Sequence, residues 1–146
     1  MASAPITARP ERTARLPWVF VYGSLKRGQY NQHVLQGARF AAVARSVLAW
    51  RLVALRRYPA LVRAPGPSPV TGELWDVPDG MMTMLDRFEE VPDLYARHEI
   101  EVECLESDEE GGLAAGARLM AQAYFMPAAL AAAGRDLPAG TWPQQD

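Results

Sequence analysis

Residues 19–25 of the chain are Val-Phe-Val-Tyr-Gly-Ser-Leu, a short apolar run that stops at a glycine and then turns polar. Valine and phenylalanine favour an extended, buried strand, so this stretch predicts a strand that ends near Tyr22. Gly23 lets the backbone turn through conformations that are closed to other residues. Such a bend can direct several backbone N–H groups into one concavity, which suits a carboxylate or a phosphate, although an ordinary strand-to-loop turn has the same pattern.

The composition limits the classes of protein that fit the chain. Its 146 residues, 49% of them hydrophobic, suffice for one folded domain with a substantial core. A formal net charge of -2 gives no basic surface for nucleic acid, and no apolar run approaches transmembrane length. The single cysteine, Cys104, cannot form an internal disulfide, so nothing points to secretion. We therefore expect a cytoplasmic protein with no nucleic-acid or membrane partner; the composition does not indicate an oligomeric state.

The chain begins with a segment unlike the rest. Residues 1–17 are rich in alanine, arginine and proline, and they lack the apolar core of a secretory signal. The segment is short for a transit peptide and is interrupted by prolines, so we expect a flexible N-terminal tail. Residues 18–146 then form the single predicted domain.

Several short apolar segments, separated by turns rich in proline and glycine, predict strands. They span residues 18–22, 38–43, 47–55, 58–62, 70–77, 95–104 and 118–126. The clearest break is Pro-Gly-Pro-Ser-Pro at residues 65–69. Within residues 95–104, the charged side chains of arginine and glutamate alternate strictly with histidine, isoleucine, valine and cysteine. This alternation indicates a strand with one solvated face. Asn31 is a candidate cap for a short helical turn that ends near Gly37.

One segment, residues 78–90, has the period of an amphipathic helix, and Pro92 stops it. Its predicted buried stripe consists of Met81, Met84, Leu85 and Phe88. An advance of about 100° per residue places Glu89 on the flank of this stripe and Glu90 on the opposite, solvated side. Many short strands and one helix predict an α+β, mostly β fold, namely a small antiparallel β-barrel or sheet with a flanking helix.

The sequence argues against several kinds of catalytic centre. His33, His98 and Cys104 lack the spacing of metal ligands, so no metal site is expected. Ser24 does not lie in the Gly-x-Ser-x-Gly pattern of a nucleophile elbow. Cys104 lies among apolar residues of a predicted strand, where burial raises the pKa of a thiol and makes it inert.

The remaining candidates are the bend after Tyr22 and the carboxylate of Glu89. Desolvation disfavours the ionised form of a half-buried glutamate, so we expect the pKa of Glu89 to rise toward the range of a general base. In the alternative interpretation, Glu89 is the ion-pair partner of Arg87, Arg97 or another nearby cation. The residues alone leave both interpretations open.

The stretch Phe-Val-Tyr-Gly-Ser-Leu-Lys-Arg-Gly at residues 20–28 resembles the opening signature of the gamma-glutamylcyclotransferase-like family. Three later stretches resemble the same family in the expected order. They are Val-Thr-Gly-Glu-Leu-Trp at 70–75, Leu-Asp-Arg-Phe-Glu at 85–89 and Leu-Tyr-Ala-Arg at 94–97. The chain is most similar to the gamma-glutamylamine cyclotransferase branch and its bacterial relatives.

The resemblance implies a small β-barrel with a flanking helix and an enzyme that needs no cofactor. In such an enzyme, a lyase or acyltransferase, the γ-glutamyl group of a small-molecule γ-glutamyl amine cyclises to 5-oxoproline and the free amine is released. The resemblance assigns general acid–base catalysis to Glu89. It assigns binding of the substrate α-carboxylate to the backbone amides of the loop formed by Tyr22, Gly23, Ser24 and Leu25.

Other functions stay open at this point. A domain of the same fold can bind a small carboxylate or serve as an interaction domain without catalysis, although the retained Glu89 favours an enzyme. Hydrolysis of the same amide would release glutamate in place of 5-oxoproline. The leaving amine is not predicted. Tyr124, in the last long predicted strand, is either a hydroxyl group for the pocket or a packed core residue.

Overall fold

A computed structural model describes residues 18–143 of the chain. The tail expected over residues 1–17 lies outside the described residues, as do the last three residues of the predicted domain. Within the described range, the length and hydropathy that a membrane-crossing helix needs are not met by any helix.

The described residues form eight strands and one α-helix. They are β1 (Trp18–Val21), β2 (Arg39–Ser46), β3 (Trp50–Ala54), β4 (Pro59–Pro65), β5 (Thr71–Asp76), α1 (Met81–Phe88), β6 (Ala96–Cys104), β7 (Arg118–Phe125) and β8 (Arg135–Asp136). A single 3-10 turn, Gln32–Leu35, lies between β1 and β2. Each predicted strand is present, with ends that shift by a few residues.

The strands close into a small barrel. The order in the sheet is β1-β5-β2-β6-β7-β4-β3-β8, and β1 also pairs with β7, so β1, β5, β2, β6 and β7 form a closed ring of five strands. Phe20 lies opposite Leu74 in the antiparallel pairing of β1 with β5, whereas Val19 lies opposite Gln122 in the parallel pairing of β1 with β7. The predicted barrel with a flanking helix is confirmed, although two pairings of the sheet are parallel: β1 with β7 inside the barrel, and β7 with β4 outside it.

Alternation along the strands divides the core into two clusters. One cluster takes residues from all five barrel strands, including Phe20, Leu74 and Val102, and it fills the barrel. The other holds Val19 and Trp75 from the outer faces of β1 and β5, together with Leu85 of α1. The helix therefore covers the outside of the barrel, and its C-terminal end lies close to the end of β1.

The predicted buried stripe of the helix is partly wrong. Leu85 is fully buried, but Met84 is 37% exposed and Phe88 is 39% exposed. Met81 and Met82 are the side chains that pack beside Leu85. Because α1 has only eight residues, it contacts the barrel through a narrow arc centred on Leu85 and rotated toward Met82. That rotation moves Met84 and Phe88 toward solvent and leaves the position after the helix on the buried flank.

We predict that Gly72→Ala destabilises the barrel, because a Cβ at this position would overlap the carbonyl oxygen of Val21 and lie 2.9 Å from the ring of Phe20. Overpacking of this kind typically costs about 1–3 kcal/mol of unfolding free energy. Urea unfolding followed by fluorescence measures the change. Gly80→Ala is the matched control, since a Cβ at position 80 has no atom within 4 Å. Equal midpoints for the two variants would contradict the tight β1–β5 contact.

Candidate active site

A cavity of about 270 Å³ lies where the loop after β1 meets the C-terminal end of α1. Its walls include Tyr22, Gly23, Ser24, Leu25, Tyr58, Glu89, Tyr95 and Tyr124. The predicted site residues come from two segments that are far apart in the sequence, and the fold brings all of them to this one cavity. A concave space with a few convergent polar groups is the usual form of a small-molecule site.

Two carbonyl groups of the loop at residues 22–25 accept hydrogen bonds from residues that follow the loop. The N–H of Lys26 donates to the carbonyl of Gly23, and the N–H of Asn31 donates to the carbonyl of Ser24, both at 3.0 Å. The N–H groups of Gly23, Ser24 and Leu25 donate to no acceptor among residues 18–143. The loop that lines the cavity therefore contains three backbone N–H groups without a described acceptor.

The expected helix cap at Asn31 is wrong. Asn31 makes no capping hydrogen bond to the 3-10 turn that follows it. Its side-chain amide donates instead to the hydroxyl oxygen of Ser24 at 3.0 Å. The side chain therefore tightens the loop, because a bond across seven residues holds the two ends of the loop together.

Gly23 is required by a close approach of two chain segments. A Cβ at position 23 would lie 2.6 Å from Cγ of Pro59, the first residue of β4. A proline ring cannot rotate out of the way as a flexible side chain can. The loop therefore lies directly against the start of β4, and only glycine fits at this contact.

Glu73 anchors the far side of the loop. Its buried carboxylate accepts from the backbone N–H of Arg27 at 2.9 Å and from Nε of Arg27 at 3.2 Å. Nε1 of Trp75 also donates to Glu73, at 3.2 Å. The guanidinium of Arg27 lies 3.5 Å from the centre of the Phe40 ring. Sequence analysis missed this anchor; its only signal was a glutamate within the apolar segment at residues 70–77.

The structure separates the two adjacent glutamates as predicted. Glu89 directly follows α1, its N–H donates to the carbonyl of Leu85 at 2.9 Å, and its side chain is half-buried at the cavity. Glu90 has a left-handed backbone with φ of 55°, which ends the helical path, and it is exposed. Burial raises the pKa of the Glu89 carboxyl from its ordinary value of 4.5 to about 7.

The carboxylate of Glu89 has no hydrogen bond or ion pair with any side chain that the structure describes. The alternative in which Glu89 pairs with a nearby arginine is therefore not observed. Arg97 binds Asp86 instead, through Nε to Oδ1 at 2.8 Å and Nη2 to Oδ2 at 3.0 Å. The raised pKa of Glu89 has desolvation by burial as its cause.

Three tyrosines surround Glu89, and the protons of their hydroxyl groups are directed at protein acceptors. Tyr22 donates to the carbonyl of Tyr124 at 2.6 Å, and Tyr95 donates to the carbonyl of Pro59 at 3.1 Å. Tyr124 donates to Oδ1 of Asp86 at 2.7 Å. Burial raises the pKa of each tyrosine, and the charge of Glu89 raises it further, so all three stay neutral. The hydroxyl oxygens of Tyr95 and Tyr124 therefore keep lone pairs that can accept a hydrogen bond.

Tyr124 combines the two roles considered from the sequence, since it is buried and also lines the cavity. Its hydroxyl is held by a chain of polar side chains. Asp86 accepts from Tyr124 and from Arg97, and Nη1 of Arg97 donates to the side-chain oxygen of Gln122 at 3.1 Å. This chain was not predicted, because its members come from α1, β6 and β7.

Among residues 18–143, no three His, Cys, Asp or Glu side chains are grouped so that they could hold a metal ion.

Comparison with known proteins identifies similar sequences and folds. The family model "Gamma-glutamyl cyclotransferase, AIG2-like" matches residues 19–144. Gamma-glutamylaminecyclotransferase C of Danio rerio is 37% identical over 117 residues, which cover 75% of this chain and 77% of that protein. The Homo sapiens gamma-glutamylaminecyclotransferase is 40% identical over 101 residues, covering 64% of this chain and 66% of that protein. The crystal structure of an AIG2-like protein from Mus musculus superposes with a TM-score of 0.66 at 34% identity, covering 75% of this chain and 76% of that chain.

We predict that Glu89→Gln makes the stability of the protein less sensitive to pH. The folded-state pKa of Glu89 lies above its unfolded-state value, so stability is fully retained below about pH 4.5 and is lost as the pH rises through about 7. A difference of one between the folded-state and unfolded-state pKa corresponds to about 1.4 kcal/mol, so the variant gains up to about 3 kcal/mol relative to the parent between these limits. Urea unfolding at several pH values measures the gain.

Glu90→Gln is the control for this experiment, because Glu90 is exposed and its substitution leaves the pH profile of stability close to that of the parent. If Glu89→Gln and the parent have the same profile, the carboxylate of Glu89 is not desolvated in the folded protein.

Proposed function

We infer the activity of this chain from its place in the gamma-glutamyl cyclotransferase, AIG2-like family, to which it belongs. It is a gamma-glutamyl cyclotransferase. We propose that its substrate is a γ-glutamyl amine and that its products are 5-oxoproline and the free amine. We also propose that Glu89 is the general acid–base and that the loop at residues 22–25 binds the substrate.

One observation carries the assignment of residues. A half-buried carboxylate without an ion-pair partner, with a pKa of about 7, lies in the same cavity as three backbone amides without acceptors. A general base works best when its pKa lies near the operating pH. A domain that only bound a carboxylate would gain nothing from a second, uncompensated carboxylate beside the anion site. The arrangement therefore favours catalysis over the non-catalytic alternative.

The cavity offers a partner for each charged group of a γ-glutamyl substrate. The amides of Gly23, Ser24 and Leu25 are donors for the α-carboxylate. The oxygens of Tyr95 and Tyr124, together with Glu89, are acceptors for the α-ammonium group. These contacts curl the substrate so that its α-nitrogen approaches its own γ-carbonyl carbon.

The proposed reaction consists of proton transfers and one acyl transfer. The carboxylate of Glu89 accepts a proton from the α-ammonium group, and the freed amine attacks the γ-carbonyl carbon to form the five-membered ring. The protonated Glu89 gives its proton to the leaving nitrogen as the carbon–nitrogen bond to that nitrogen breaks. The ring nitrogen then gives its second proton to the ionised Glu89, which passes it to the released amine, so the amine departs as an ammonium ion and Glu89 is again a carboxylate. No electrons are transferred, so the chemistry requires no redox cofactor.

Two general effects would lower the barrier of the proposed reaction. Holding the two reacting groups of one molecule in contact can contribute about 7–11 kcal/mol to lowering the barrier. A positioned general base contributes roughly 10²- to 10⁴-fold more in rate. Hydrolysis, the other reaction considered from the sequence, would instead require a bound water and would yield glutamate.

The cellular setting is proposed from the chemistry of the thiol. The described chain has one cysteine, Cys104, which is a buried free thiol and is compatible with a reducing compartment. We propose a cytoplasmic enzyme that acts on a small molecule.

Glu89→Gln is expected to lower kcat for 5-oxoproline release by about 10²- to 10⁴-fold, because the amide cannot accept the proton of the α-ammonium group. The release of 5-oxoproline from a mixture of γ-glutamyl amides, measured by chromatography, tests this prediction.

In the parent, kcat/KM should rise as the pH increases through about 7, since the base must be ionised. Glu101→Gln is the control, since Glu101 is an exposed residue of β6 that does not line the cavity, and it should retain parental turnover. An active Glu89→Gln enzyme, or glutamate as the product, would overturn the proposal.

Gly23→Ala is expected to raise KM for a γ-glutamyl amide by about tenfold or more, because the added Cβ overlaps the Pro59 ring and displaces the amides that bind the carboxylate. Gly80→Ala introduces the same methyl group without a contact and should retain the parental KM. Steady-state kinetics of 5-oxoproline release measure both. A parental KM in a folded Gly23→Ala protein would exclude this loop as the carboxylate site.

A further inference from the structure

A second groove adjoins the candidate active site. It has a volume of about 710 Å³, and it shares two of its walls, Tyr58 and Leu94, with the catalytic cavity. The catalytic cavity, at about 270 Å³, is smaller than the roughly 300–1,000 Å³ of most small-molecule sites. A γ-glutamyl group occupies such a cavity, and the leaving amine of the substrate must then extend beyond it. The shared walls make the groove the adjoining space for that amine.

The groove is basic. Arg56, Arg57 and Arg135 line it, and no carboxylate belongs to its lining within the part of the chain that the structure describes. Arg56 and Arg57 are exposed, and their side chains make no hydrogen bond or ion pair with any described residue. These two guanidinium groups are therefore free to bind an anion, and arginine matches the geometry of a carboxylate or phosphate.

The turn that carries these arginines is fixed at the cavity entrance. The hydroxyl of Tyr30, which follows the loop after β1, donates to the backbone carbonyl of Arg57 at 2.6 Å. Within the turn, the N–H of Leu55 donates to the carbonyl of Tyr58 at 2.9 Å. The Tyr30–Arg57 bond therefore joins the backbone of this turn to the segment that follows the loop at residues 22–25.

We propose that Arg56 and Arg57 select γ-glutamyl amines whose leaving amine carries an anionic group, a carboxylate or a phosphate, at its far end. This inference rests on the proposed function and extends it to the class of leaving amine. The negative charge of Glu89 then faces the α-ammonium end of the substrate, and the positive charges face the leaving-amine end. A leaving amine with a second ammonium group is disfavoured by repulsion from the two arginines.

The test uses amides that differ in one terminal group. They are the γ-glutamyl amides of 3-aminopropanoate, 2-aminoethyl phosphate, 3-aminopropanamide and 1,3-diaminopropane, which are anionic, anionic, neutral and cationic. Calorimetry on the Glu89→Gln protein measures the dissociation constant of each without turnover, and steady-state kinetics on the parent measure kcat/KM. We expect one or both anionic amides to bind about five- to tenfold more tightly than the neutral amide, and to have a kcat/KM higher by the same factor. This is the size of effect that two exposed ion pairs acting together produce, and it should decline as salt is added.

The double variant Arg56→Gln/Arg57→Gln is expected to reduce the ratio of anionic to neutral affinity to about one. The matched control, Arg45→Gln/Arg118→Gln, changes the net charge equally. Arg118 begins β7, and Met126, which lines the groove, follows the end of β7, so at about 3.3 Å per residue the control lies roughly 25 Å away. Arg45 and Arg118 both lie opposite Glu103 in the sheet. The control should keep the parental ratio.

The outcomes separate the two proposals. Equal affinity for anionic and neutral amides, or a preference that survives in the Arg56/Arg57 double variant, overturns the charge selection even if the parent releases 5-oxoproline. If the parent releases no 5-oxoproline from any of the amides but binds the anionic ones selectively through these arginines, the proposed reaction fails and the charge selection stands.

Discussion

The architecture depends on a strand of four residues that is paired on both sides. β1 pairs with β5 in antiparallel register and with β7 in parallel, and all four of its side chains are buried. This double pairing closes the ring of strands and removes a free sheet edge. It also fixes the direction in which the chain leaves the barrel, so that the loop at residues 22–25 reaches the end of α1 and the start of β4.

A second constraint is the electrostatic isolation of Glu89. Asp86 lies three residues earlier, and it binds Arg97 through two hydrogen bonds. If Arg97 paired with Glu89 instead, the pKa of Glu89 would fall and the group would be a weaker base. The helix therefore supplies two carboxylates with different environments. One binds Arg97 of β6 and accepts the hydrogen bond of Tyr124, and the other has no partner among residues 18–143.

The distribution of charge over the two adjoining cavities follows from the elements that line them. The end of α1 contributes the acidic group, and the turn between β3 and β4 contributes the basic ones. Tyr58 stands between them and belongs to both cavities. In the proposed function, a substrate that spans this boundary would meet a negative charge at one end and positive charges at the other, and such a field would orient it before close contacts form.

The local rules of the sequence were sufficient for a large part of this description. A strand that stops at Gly23, a strand with one solvated face at residues 95–104, and the split between Glu89 and Glu90 all depend on spacing within a few residues. Side-chain periodicity also placed a helix, but not the part of its surface that meets the barrel. Met84 and Phe88 were therefore wrongly expected to be buried.

The sequence by itself determined where strands and the helix form and which carboxylate is half-buried, because those properties arise from neighbours along the chain. Only the tertiary structure decided that Glu73 anchors Arg27 across 46 positions and that Tyr124 reaches Asp86 across 38. It also decided that the groove lined by the arginines of the β3–β4 turn adjoins the cavity that Glu89 lines. These contacts depend on the closure of the barrel, and no local pattern of residues encodes which distant strands that closure brings together.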